Sequence, residues 1–136
     1  MRLVAFGALA LSVVGCSDPL AGRYELSGKV TLPSGPIKDG TIMFEPLDKQ
    51  DTKGFSQILN GTYKIPREAG LKVGKYRVRI SAGDGKTPAN GEAGGPGGST
   101  NIVSKDMVPA SWNALSTKEI EIKAAGPNTF DFDITK

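Results

Sequence analysis

Hydrophobic and polar residues alternate along several short parts of the chain, which is the pattern of a β-strand with one buried face. The alternation is clearest at residues 74–82, where Tyr76, Val78 and Ile80 share one face and charged residues separate them. Similar alternations, or short apolar runs bounded by turn residues, predict six further strands at 24–32, 41–45, 55–59, 62–65, 118–123 and 129–134. No segment after the first 15 residues shows the period of a helix, so the pattern predicts an all-β domain.

Turn residues separate these strands. Asn60 and Gly61 stand between two of them and tolerate the positive φ angles of a type I′ hairpin turn. Residues 33–36 and 126–128 also combine the residue types that favour turns. Seven short strands with frequent turns predict an antiparallel seven-stranded β-sandwich with Greek-key connections. Residues 83–100 are mostly Gly, Ala, Pro and Ser without an apolar anchor, so we expect a flexible Gly-rich loop there.

The N-terminus has the layout of an export signal. Arg2 precedes an apolar run at residues 3–15, and polar residues follow at 17–19. A helix of that length reaches only about 20 Å, which is too short for a hydrocarbon core of about 30 Å. A buried helix of the domain would need a polar outer face, and only Ser12 interrupts the run. We therefore expect residues 1–15 to be a cleaved signal peptide.

The residues before the single cysteine resemble the lipobox of bacterial lipoproteins. Val13 takes the aliphatic place, Gly15 the small one, and Cys16 the modified position. This resemblance implies cleavage before Cys16, a diacylglyceryl thioether on its sulfur and further acylation, such as palmitate, at the new N-terminus. Several acyl chains anchor a protein stably where one chain is marginal. Residues 16–23 would be a lipid-anchored linker and residues 24–136 the domain; the alternative is a secreted protein with an unpaired thiol.

Composition narrows the possible chemistry. The chain has 17 Lys and Arg against 14 Asp and Glu, a net charge of +3 that gives no reason to expect nucleic acid as a partner. It contains no histidine, which removes the commonest general base and a frequent metal ligand. No serine lies in a nucleophile elbow and no calcium-loop pattern is present. We expect a protein that is not an enzyme and that needs no metal or cofactor.

A few residues are candidates for ligand contact. Trp112 is the only tryptophan and could stack on a sugar or contact a protein, or it could cap one end of the sandwich. Arg77 and Arg79 lie in a basic stripe that could attract anionic polymers or lipid headgroups, or could be a solvated strand face. Asp131 and Asp133 share one face of a strand and could bind a cation, remain solvated, or pair with those arginines.

Several segments together resemble small planctomycete-type lipoproteins with a carboxypeptidase-regulatory-like, transthyretin-like domain. They lie at residues 26–32, 40–46, 61–63, 74–78, 108–110 and 130–133. The resemblance implies a prealbumin-like β-sandwich and a location in the cell envelope, and it supplies no reaction.

The predicted function follows from the anchor and the strands. We expect a lipid-anchored protein of the bacterial cell envelope, facing the periplasm or in the outer membrane, that acts as a non-enzymatic binding or structural module. Its partner would be an envelope protein or glycan. The alternatives are an accessory lipoprotein of a secretion apparatus, or a small-ligand, carbohydrate-binding or hydrolase domain with an unrecognised site.

Overall fold

A computed structural model describes residues 15, 18–84 and 105–135 of the chain. Cys16, residues 1–14 of the expected signal peptide and residues 85–100 of the expected Gly-rich loop lie outside the described residues. The strands are β1 (Leu26–Leu32), β2 (Gly35–Pro36), β3 (Asp39–Pro46), β4 (Gly54–Leu59), β5 (Thr62–Ile65), β6 (Gly74–Ser81), β7 (Glu119–Ile122) and β8 (Phe132–Asp133). Two 3₁₀ helices, Arg67–Ala69 and Ala110–Trp112, accompany them. The all-β class predicted from the sequence is confirmed.

The strands form one sheet that curls into a half-barrel. Its order is β2-β1-β5-β4-β3-β6-β7, and β8 pairs with β1. Strands β3, β4 and β5 follow one another as hairpins, and β6 returns to lie beside β3. That spatial order, β6-β3-β4-β5, is the Greek key expected from the sequence.

The hairpin between β4 and β5 has the predicted turn. Asn60 has a φ of 50° and Gly61 a φ of 77°, both in the left-handed region that a type I′ turn requires. Strand β5 also begins and ends where the pattern placed it, at Thr62 and Ile65. Local turn chemistry therefore fixed this register.

Two details differ from the seven-strand prediction. The described residues contain an eighth strand, because the chain after the turn at Pro33 pairs back on β1 through Gly35 and Pro36. The last strand is shorter than 129–134, and it runs parallel to β1, with Val30 opposite Phe132. Alternation indicates which face of a strand is buried, but it carries no information about the partner strand or its direction.

The core fills the curve of the sheet. Tyr76, Val78 and Ile80 of β6 are fully buried, as the alternation predicted. The Trp112 ring meets the Phe132 ring edge-on, with centroids 6.1 Å apart and an interplanar angle of 77°. Trp112 follows β6 in the chain and Phe132 lies beside β1. Because β6 and β1 lie toward opposite edges of the sheet, this contact joins the two edge regions across the core.

The two ends of the half-barrel carry different segments. At the N-terminal end, β1 begins at Leu26 opposite Ile65, and β6 begins at Gly74 opposite Ile122. The other end, which we call the loop end, contains the end of β6 and the start of β3. Within the described part of the chain, no helix has the length and apolar character needed to cross a bilayer.

Candidate functional site

Arg79 is held rigidly on the outer face of the sheet. Its Nε donates to the Glu45 carboxylate on β3 at 2.9 Å, and the two side chains are 29% and 34% exposed. Its Nη1 donates to the carbonyl oxygens of Asn113 and Ala114, both at 3.0 Å. The guanidinium therefore joins β6 to β3 and to the segment after the second 3₁₀ helix, and its orientation is fixed.

Arg77 lies on the same face of β6, two residues before Arg79. It stands opposite Glu45 on β3 and Glu119 on β7. Its Nε is buried and has no hydrogen-bond partner among the described residues. A buried donor without a partner is costly, and no group in the described part of the chain offsets that cost here.

Trp112 is placed in the core. It is only 9% exposed, its edge contacts Phe132, and the Lys118 Nζ stands 4.6 Å from its ring centroid. The ring is packed by these neighbours and is not open to stack on a ligand from solvent. Arg79 and Trp112 are linked through the backbone of residues 113 and 114, but they do not share one surface.

Large apolar side chains surround Arg79 on the outer face, and sequence reasoning missed them. Met43 of β3 lies opposite Phe55 of β4 on one side and opposite Arg79 of β6 on the other. Met43 is 39% exposed, Phe55 61% and Leu115 73%. Leu115 follows Ala114, whose carbonyl oxygen accepts a bond from Arg79. We call Met43, Phe55, Arg79 and Leu115 the outer patch.

The two aspartates near the C-terminus have structural contacts. An Asp131 carboxylate oxygen accepts a hydrogen bond from the Lys29 backbone N at 2.8 Å, and Asp133 accepts one from the Thr31 hydroxyl at 3.1 Å. Both carboxylates thus fasten the residues around β8 to β1, and among the described residues neither forms an ion pair with Arg77 or Arg79. The described residues contain no cluster of three or more His, Cys, Asp or Glu suited to a metal ion.

Asp106 ties the chain after the Gly-rich segment to the end of β6. One carboxylate oxygen accepts bonds from the backbone N of Ala82 at 3.0 Å and of Val108 at 2.9 Å. The other accepts bonds from the Ser81 hydroxyl and the Asn113 amide, both at 2.7 Å. No local pattern marks this aspartate, because its partners lie on three separate segments.

Two titratable groups among the described residues have perturbed pKa values. A hydrogen bond and the charge of Lys72, whose Nζ is 2.8 Å from the carboxylate, lower the pKa of Asp51 on the exposed surface. Burial, with a smaller effect of Asp131, raises the pKa of the Tyr63 hydroxyl well above its ordinary value. That hydroxyl donates to the Phe130 carbonyl oxygen at 2.8 Å, so it serves as a structural link between β5 and the segment before β8.

The described surface has shallow recesses. One is an open groove of about 600 Å³ across β1, β5 and β4, lined by polar side chains that include Lys29, Gln57 and Lys64. Another, of about 310 Å³, lies at the loop end between Ile37, Ala82 and Met107. The groove is lined on one side by Leu59, which adds an apolar edge close to the outer patch.

No family model, curated protein or solved structure matches this chain. The arrangement on the outer face, an oriented arginine among exposed apolar side chains on central strands, is therefore the main structural guide to function.

Proposed function

We propose that this protein is a lipid-anchored, non-enzymatic module of the bacterial cell envelope that binds another envelope protein through its outer patch. The apolar run and the lipobox-like residues that end at Cys16 support the anchor. They also support an envelope location, facing the periplasm or in the outer membrane. The resemblance to small planctomycete-type lipoproteins with a transthyretin-like domain belongs to the same proposal, and an accessory role in a secretion apparatus would be a narrower form of it.

The outer patch is the observation that carries the binding role. Surface positions in the middle of a sheet are usually polar when they face only water, whereas Met43 and Phe55 lie side by side at this position. Aromatic residues, Met and Arg are enriched where proteins bind each other. Because Glu45 and two carbonyl oxygens already orient Arg79, little side-chain entropy would be lost there on binding.

The patch favours a protein partner over a glycan. Glycan sites combine an accessible aromatic ring with converging polar groups. The Phe55 ring is exposed here, but its neighbours in the patch are the apolar Met43 and Leu115 and an Arg79 that already bonds within the domain. An apolar surface on the partner would cover Met43, Phe55 and Leu115. The expected result is association without turnover.

The anchor is tested on the full chain expressed with its leader in a bacterial host. Mass spectrometry of the mature N-terminus should show a peptide that begins at Cys16 and carries acyl chains. The wild-type protein should sediment with membranes and carry acyl chains, and Cys16→Ser should carry no acyl chains. A polypeptide that retains residues 1–15, or a mature Cys16 without lipid, would contradict the anchor.

The binding role is tested by photo-crosslinking in intact cells. A photoreactive residue at position 55 should give a discrete protein adduct, and the same residue at exposed position 38, at the loop end, serves as the matched control. Met43→Asp should abolish the adduct at position 55, because it places a charge in the apolar contact. An adduct of equal yield from both positions, or one indifferent to Met43→Asp, would rule out the patch as the contact.

A further inference from the structure

The residues that follow the predicted anchor are fastened to the domain. The Asp18 carboxylate accepts a hydrogen bond from the Leu20 backbone N at 2.9 Å and forms an ion pair with the Arg67 Nη2 at 3.1 Å. The same guanidinium donates through Nε to the Arg23 carbonyl oxygen at 3.3 Å and through Nη2 to that of Leu20 at 3.4 Å. We call Asp18, Leu20, Arg23 and Arg67 the N-terminal clamp. Sequence reasoning treated residues 16–23 as a linker, but residues 18–23 follow the surface of the domain.

The clamp fixes where the chain leaves the half-barrel. Arg67 opens the first 3₁₀ helix, directly after β5, and Arg23 also donates from its side chain to the Gly70 carbonyl oxygen at 3.2 Å. Tyr24 and Leu71 then exchange two backbone hydrogen bonds, of 2.9 and 3.0 Å. All of these contacts lie at the N-terminal end of the sheet, where β1 begins and β5 ends.

The chain on both sides of the Gly-rich segment lies at the opposite end. The Asp84 N donates to the Lys105 carbonyl oxygen at 3.1 Å, and the Met107 N donates to that of Ala82 at 2.8 Å. These bonds continue from the end of β6, whose eight residues separate the two ends of the sheet. At about 3.3 Å per residue, that separation is about 25 Å.

From these placements we infer that the N-terminal end of the domain rests against the surface of the lipid bilayer and that the loop end projects away from it. The inference depends on the proposed acylation of Cys16. The Cα of Cys16 is two residues from that of Asp18, a distance of at most about 8 Å. A tether that short, tied to a clamped Asp18, keeps residues 67–73 near the headgroups. The loop end lies about 25 Å from the N-terminal end, which is about three times the reach of the tether.

The surface that would face the lipid is amphipathic. Val73, between the first 3₁₀ helix and β6, is 49% exposed, and Lys53 brings positive charge to the same end of the sheet, where Lys72 is paired with Asp51. Apolar side chains and cations together suit the interface between headgroups and acyl chains. The orientation also leaves the outer patch on the side wall of the half-barrel, where a partner in the same membrane layer can reach it.

The experiment measures the distance of each end from the lipid. The full chain, matured in a bacterial host, is reconstituted into phosphatidylcholine and phosphatidylglycerol vesicles that contain a nitroxide on a fraction of the headgroups. Because acylation blocks the Cys16 thiol, a fluorophore can be attached at Glu68→Cys or at Lys38→Cys, two exposed positions at opposite ends. We expect the nitroxide to quench the label at position 68 at least threefold more than the label at position 38.

A second variant tests the clamp itself. Arg67→Ala frees residues 18–22 and should reduce the difference between the two labels to less than half. Lys29→Ala removes one exposed positive charge from the middle of β1, away from both the clamp and the lipid-facing end, and it should leave the difference unchanged. Equal quenching at both positions in protein whose mass shows the acyl chains would overturn the orientation alone. A mass without acyl chains would overturn the proposed anchor, and the orientation with it.

Discussion

Replacement of Asp106 by alanine gives the sharpest test of how this fold is held together. The substitution removes four hydrogen bonds to a carboxylate, two from backbone N–H groups and two from side chains. The Ser81 hydroxyl and the Asn113 amide can turn to water, whereas the Ala82 and Val108 N–H groups are fixed and partly buried. An unpaired buried donor costs about 1–3 kcal/mol, so we expect Asp106→Ala to lower the free energy of unfolding by about 2–4 kcal/mol.

Urea-induced unfolding measures this loss. The single tryptophan, Trp112, lies in the core and reports unfolding by its fluorescence. The matched control is Asp39→Ala, because Asp39 accepts one exposed side-chain bond from Gln57 at 3.1 Å. Its expected cost is below about 0.5 kcal/mol. Asp106→Asn should fall between the two, since its remaining carbonyl oxygen can still accept the two backbone bonds.

The reasoning would be refuted by a cost for Asp106→Ala below about 1 kcal/mol, or by an equal cost for Asp39→Ala. Either result would mean that the chain beyond the Gly-rich segment is held by apolar packing at Val108 and Trp112 rather than by the carboxylate. A change in the urea dependence of the unfolding free energy would instead indicate a change in the compactness of the native or denatured state, or a loss of two-state unfolding.

Three further substitutions test other contacts. Tyr63→Phe should cost about 1 kcal/mol at neutral pH, because the bond to Phe130 is lost. Burial raises the pKa of Tyr63 above 10.0, so from that pH upward ionisation favours the unfolded wild-type chain. The stability of the wild type in urea titrations should therefore fall more steeply with pH than that of Tyr63→Phe. Parallel pH profiles would show that burial of this hydroxyl is not the cause. Gly28→Ala would place a Cβ 1.8 Å from the Phe130 carbonyl oxygen and should cost about 3 kcal/mol or more in thermal unfolding, whereas Ser27→Ala should cost less than about 1 kcal/mol. Arg79→Lys keeps the charge but loses the guanidinium, whose Nε and Nη1 reach both Glu45 and the two carbonyl oxygens. A decrease of less than about 0.3 kcal/mol in the free energy of unfolding, measured in urea, would contradict the bridging role of Arg79.

The strands could be predicted because their information is local. Residue alternation placed β6, and turn residues placed the β4–β5 hairpin, each within a window shorter than ten residues. The pairing of β8 with β1 could not be predicted, because it joins Val30 to Phe132, which are far apart in the sequence. The hydrophobic pattern of a short strand does not indicate which of several strands it pairs with. The extra strand β2 was missed for a different reason: Gly35 and Pro36 are turn residues by composition, and they pair because the hairpin folds back directly on β1.

The candidate site was only partly visible in the sequence. Arg77 and Arg79 were placed on the outer face by alternation, and they lie there. The facing of β4 was harder to predict, because two of its three large apolar residues, Phe55 and Leu59, point outward. Ile58 pairs with Gly40 on the buried face, and a Cβ at Gly54 on that face would lie 3.1 Å from both Leu71 and Phe44. Because Gly54 and Ile58 take the buried face, alternation leaves Phe55 and Leu59 on the surface.

Polar side chains that bond to backbone groups account for most of what the sequence hid. Asp131 supplies the acceptor for the Lys29 N–H beside the short β8, and Asn128 both accepts from the Lys123 N and donates to the Lys123 carbonyl oxygen, at 3.0 and 3.1 Å. With Asp106 and Asp18, these groups fasten irregular segments where no strand partner is available. Carboxylates that looked like candidates for cation binding thus complete the hydrogen bonding of a sheet that does not close on itself. The bonds of these carboxylates stabilise the fold, whereas the fold itself does not require the exposure of Met43 and Phe55, and that exposure points to a binding role.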